Sequence, residues 1–141
     1  MYEIERMMEP ISIPYHLLLP AIACIVFLYL IFIRRKKLFS NSKKRSLWIT
    51  ATILIAFYGL IVGGATFEDV YAQWDVNRYD LNSDGLFSSD EVTEEQEAAM
   101  FRLTSDVGRN LSVLTGLIST AVLALPIYIL VRLIVKIKTP S

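Results

Sequence analysis

Oxygen-bearing side chains recur through residues 80–91, D-L-N-S-D-G-L-F-S-S-D-E, at a spacing that suits capture of a hard divalent cation. Asp80, Asn82 and Asp84 fill positions 1, 3 and 5 of this segment. Short side chains spaced in this way converge on one point when the backbone wraps tightly around it. Gly85 stands at position 6, where the chain must reverse and a residue without a Cβ does so at low cost. Leu86 at position 7 offers its backbone carbonyl, Ser88 at position 9 a hydroxyl or a water held by it, and Glu91 at position 12 two carboxylate oxygens. An all-oxygen shell closed by a bidentate carboxylate favours Ca2+ over Mg2+.

Other chemistry is poorly provided for. Cys24 is the single cysteine and lies in an apolar run, so it has no intrachain disulfide partner and belongs to no Cys/His metal spacing. His16 is the single histidine, with only Met7 and Met8 nearby as soft donors, and reads as an interfacial residue rather than a cofactor ligand. No Ser/His/Asp or Cys/His set and no Gly-rich phosphate loop appears, so catalysis is not expected. Neither is a nucleic-acid partner.

The segments around the oxygen-rich stretch predict an all-α chain. Of its 141 residues, 54% are hydrophobic, and they gather in long uncharged runs. Residues 17–33 are apolar and follow an acidic tail, 1–16, which lacks the basic flank of a signal peptide. A basic loop, 34–46, separates this run from a second, 47–66. Gly63 and Gly64 are expected to end or bend the second span, with Thr66 and Asp69 capping a new helix, 67–79, that leads into the loop. Ser88 and Glu91 read as a capping box, so a further helix is expected over 89–104. Residues 105–110 form a polar junction before a third apolar segment, 109–133 in its widest extent, and a basic tail, 134–141. About twenty apolar residues cross a bilayer as a helix, and each of the three runs suffices once its uncharged flanks are counted.

The loop and its flanking helices resemble the EF-hand family. The match covers about thirty residues and rests on Asp80, Asn82, Asp84, Gly85, Ser88 and Glu91, with Phe87 at the apolar position 8. The resemblance implies a Ca2+ site with roughly seven oxygens from this loop. EF-hands usually pair, and no second loop is present, so burial of Phe87 and of the surface near Trp74 is expected to need another subunit or a second copy. The fold class expected is therefore an all-α integral membrane protein, with three transmembrane helices and one EF-hand between the second and third.

Charge asymmetry orients this arrangement. Residues 34–45 hold seven cations and no acid, and Arg132, Lys136 and Lys138 follow the third span, while every acid lies at the other membrane face. The positive-inside rule places the N-terminus and the calcium loop outside and the C-terminus in the cytoplasm of a plasma membrane, as in a bacterial inner membrane. Small residues recur at Gly59 and Gly63, and at Ser112, Gly116, Thr120 and Ala124, a spacing that lets helix backbones approach closely. These rows are expected to pack the second span on the third, or to serve self-association and contact with other membrane subunits, alongside membrane lipid. No charge sits in the middle of any span, which disfavours an ion pathway. The expected function is a calcium-binding, non-catalytic accessory or regulatory subunit of a membrane complex. The alternative is a calcium-gated small transporter or channel component.

Overall fold

The computed structural model describes residues 11–82, 87 and 91–138, with backbone alone at 42, 43 and 138. It is helical, with no strand among the described residues: α1 (Tyr15–Leu38), α2 (Ser42–Asn77), α3 (Glu94–Ser105), α4 (Val107–Asn110) and α5 (Ser112–Lys138). Three of these, α1, α2 and α5, are long and apolar enough to cross a membrane. Large apolar side chains stand exposed along them, including Ile25, Leu60 and Val122 at 66%, 76% and 70%. Patches of that size are rare on soluble monomers but normal where lipid is the solvent.

Six hydroxyls along these helices are satisfied within their own helix, as a hydrocarbon surrounding favours. Thr50, Thr52, Thr66, Thr115, Ser119 and Thr120 each donate their hydroxyl to the carbonyl four residues back. Pro20 and Pro126 lie inside α1 and α5, which continue through them.

Helix α2 is the centre of the molecule, with α1 on one side and α5 on the other. Where Gly59 faces α1, an added Cβ would stand 3.1 Å from Cys24 Cβ. Where Gly116 of α5 faces α2, an added Cβ would stand 3.1 Å from Ile61 Cγ2 and 3.2 Å from the Tyr58 ring. Gly116 thus helps to pack the third long helix on the second as expected, whereas the α2 row does not: Gly59 serves the α1 contact, and Gly63 has open space, with nothing within 4 Å of an added Cβ. Ser112 is buried near the start of α5, and Thr120 is half-buried.

Three boundaries depart from the sequence expectation. The basic segment is not a loop. Arg35, Lys36 and Lys37 form the last turn of α1, where cations complement the helix dipole, and α2 resumes at Ser42 after only residues 39–41. The second span and the helix leading to the loop are one continuous α2 of 36 residues, about 54 Å long. Gly63 and Gly64 do not break it, because a helical glycine costs only about 1 kcal/mol against alanine and the turn is held by buried Val62 and Ala65. The Thr66 hydroxyl, expected to cap a new helix, instead donates to Val62 O at 2.7 Å. Finally, the helix after the loop begins at Glu94 rather than residue 89, and the polar junction contains the short helix α4.

Candidate metal centre and its charged support

Residues 68–77 continue α2 past its uncharged run, and α3 packs against α2, with Ala99 of α3 and Ala72 and Val76 of α2 all buried. The start of α3 is set by Thr93, whose side chain accepts from Gln96 N at 3.1 Å. Glu94, Glu95 and Glu97 fill the first turn, where negative charge meets the positive helix end. Thr93→Ala is expected to cost about 1 kcal/mol and to fray this turn first; hydrogen exchange at Gln96 and Glu97 would report it, and unchanged protection there would contradict the assignment.

Of the predicted ligands, Asp80, Asn82 and Glu91 are described, whereas Asp84, Leu86 and Ser88 lie outside the described residues. Glu91 is 4% exposed and sits in a turn, not at the third position of a helix. Its Oε1 accepts from Leu81 N at 2.9 Å and from Asn82 N at 3.1 Å. One carboxylate thus ties loop position 12 to positions 2 and 3, closing the segment on itself. Asp80 Oδ1 is shielded from solvent beside this closure. Asp80 lies three residues past the end of α2, with its N–H donating to Asn77 O at 3.4 Å. Phe87 is half-buried. Among the described residues no group of three His, Cys, Asp or Glu side chains converges as a metal site. The two described acids fit a hard oxygen-ligated cation in kind, and the remaining carboxylate of the pattern, Asp84, falls outside the comparison.

Two ion-pair clusters absent from the sequence expectation hold the loop's flanks. Asp75, buried on α2, divides its oxygens between Arg78 at 2.9 Å and Arg102 of α3 at 2.7 Å. The second cluster centres on Arg109 of α4, whose side chain is 4% exposed. Its Nε stands 3.0 Å from Asp69 Oδ1, too poorly aligned for a hydrogen bond, while Nη2 donates to Leu103 O at 2.8 Å. Asp106 accepts from Arg109 N at 2.9 Å and caps α4. Asp69 also accepts from Gln73 Nε2, and Gln73 exchanges two hydrogen bonds with the backbone of Ser12 at 2.7 and 2.9 Å. Arg109 thereby joins α2, α3 and α4, and the Asp69–Gln73 pair extends the cluster to the segment before α1. A cleft of about 460 Å³ opens between the clusters, walled by Tyr71 and Phe101. A sequence signal for these pairs existed: every cation on the acidic side is arginine, the residue suited to bidentate, partly buried pairing, whereas lysine is confined to the basic side.

No family model, curated protein or solved structure matches the chain.

Proposed function

We propose that the protein is an integral membrane calcium-binding protein, acting as a non-catalytic accessory or regulatory subunit whose conformation is tuned by external Ca2+. The N-terminus and the loop lie outside a plasma membrane of the bacterial inner-membrane kind, and the C-terminus lies in the cytoplasm. The observation that carries this reading is the return of the Glu91 carboxylate to the backbone of Leu81 and Asn82. It draws the last position of the oxygen-donor pattern onto the second and third, beside the first.

Asp80, Asn82, Asp84, Ser88 and Glu91 would hold the ion with the carbonyl of Leu86. Calcium supplies neutralisation of three carboxylates in a crowded acidic segment. The chain's own residues do the rest. The Asp80 N–H bonds to Asn77 O at the end of α2, and Glu91 stands three residues before Glu94, the first of α3, so the loop's state sets how α3 meets α2. Asp75 and Arg102 couple the far part of α3 to the same helix at 2.7 Å.

Calorimetry on the full chain in micelles tests the reading. The expected dissociation constant is roughly 0.1–1 mM, suited to external calcium. Asp80→Ala and Glu91→Gln should each remove the binding heat while leaving far-ultraviolet helicity and membrane insertion intact. Absence of heat and of competition in the unaltered chain at millimolar calcium would refute the proposal.

A further inference from the structure

At the opposite end of the molecule, the three-residue link between α1 and α2 folds the two helices into a hairpin around a cavity of about 580 Å³. Arg34 and Lys37 enter it from the end of α1, Lys44 from the first turn of α2, and Leu38, Asn41 and Trp48 complete its walls. Among the described residues, no carboxylate pairs with any of the three cations. The sequence shows why: no acid occurs between Glu9 and Glu68. Lys44 also stands at the positive end of the α2 dipole, where a cation is disfavoured. Three like charges and a helix N-terminus around one cavity form an arrangement that repels itself until an anion shares it.

Its depth narrows the choice of anion. Arg34 ends the apolar run of α1, and Trp48 lies just inside α2 with a half-buried indole of the kind that marks the lipid interface. The cavity thus has cationic walls at phosphate level, Leu38 at its end nearest the link, and Trp48 one helical turn deeper than Lys44. We propose that it is a binding site for the phosphodiester of an anionic phospholipid, held by Arg34, Lys37 and Lys44 with the glycerol and upper acyl chain against Trp48. The site rests on the membrane reading of the helices and is independent of calcium.

The test uses the full chain carrying Trp74→Phe, so that Trp48 is the sole indole, in nanodiscs of one composition on both faces. Phosphatidylglycerol brominated on its acyl chains quenches an indole that it touches. In discs of otherwise unbrominated lipid it should quench Trp48 more strongly than brominated phosphatidylcholine does at the same fraction, and a single Lys37→Gln or Lys44→Gln should lower that preference about fivefold, the share of one cation near an anionic surface. Combined Arg34→Gln, Lys37→Gln and Lys44→Gln should erase it. Arg35→Gln, Lys36→Gln and Arg45→Gln remove the same charge from the same stretch without touching the cavity, and should preserve it. Equal quenching by the two lipids, equal loss in the control, or relief by millimolar inorganic phosphate would each overturn the site, the last by pointing to a soluble anion. Protein that fails to enter neutral discs would instead refute the membrane reading.

Discussion

Arg109→Ala should destabilise the cap formed by α3, α4 and the end of α2 by about 3–5 kcal/mol, the range seen when one partner of a buried ion pair is deleted. The guanidinium is 4% exposed and Asp69 13% exposed, so removal leaves a carboxylate largely shielded from water with Gln73 as its remaining partner. It also strips Leu103 O of its donor at the end of α3. Thermal unfolding in micelles and hydrogen exchange across α3 and α4 would measure the loss. Asp69→Ala should cost less, because Arg109 keeps Asp106 Oδ2 at 3.9 Å and Leu103 O at 2.8 Å. The double substitution Arg109→Met with Asp69→Leu should recover most of the stability, since an apolar pair carries no desolvation penalty. A loss below about 1 kcal/mol for Arg109→Ala, the level of an exposed pair, would mean that water reaches the guanidinium in solution.

Gly116→Leu and Gly59→Leu should each cost about 1–3 kcal/mol by overpacking, but at different interfaces. At Gly116 even a methyl group meets Ile61 and the Tyr58 ring within 3.2 Å, so leucine forces α5 away from α2. At Gly59 the obstacle is Cys24 Cβ at 3.1 Å, an atom attached to the backbone, and α1 itself must yield. Gly63→Leu is the contrasting case. With open space beside Gly63, leucine should leave the unfolding midpoint of the single chain unchanged. Were Gly63→Leu as damaging as Gly59→Leu in the monomer, the assignment of these faces would be wrong; were it damaging only to an oligomer, a second copy would be packing there.

The three long helices were legible because crossing hydrocarbon needs only length and the absence of charge, both written locally in the chain. The helix ends were less so, since they depend on competing local bonds. Ser88 with Glu91 and Thr93 with Gln96 both satisfy the capping pattern. The second set starts α3, and Glu91 is drawn away to the amides of Leu81 and Asn82. Gly63 and Gly64 misled for the opposite reason: the local preference for a break is weaker than the packing that carries α2 through it. The clusters around Asp75 and Arg109 were not legible as pairs, because their partners are far apart in sequence and meet only once α3 and α4 fold back on α2. Sequence could show only that arginine, not lysine, had been placed among the acids. Within the loop, the pattern of donor types was plain, and the closure by Glu91 required the fold.

Because α2 lacks a hinge, it behaves as a stiff shaft whose two extremities cannot reorient separately. Over its length of about 54 Å, a tilt of about 5° at one extremity swings the other by about 5 Å. A rearrangement of the 80–91 loop would thereby be felt as leverage among the basic residues at the remote end, without any signal having to pass from side chain to side chain along the molecule.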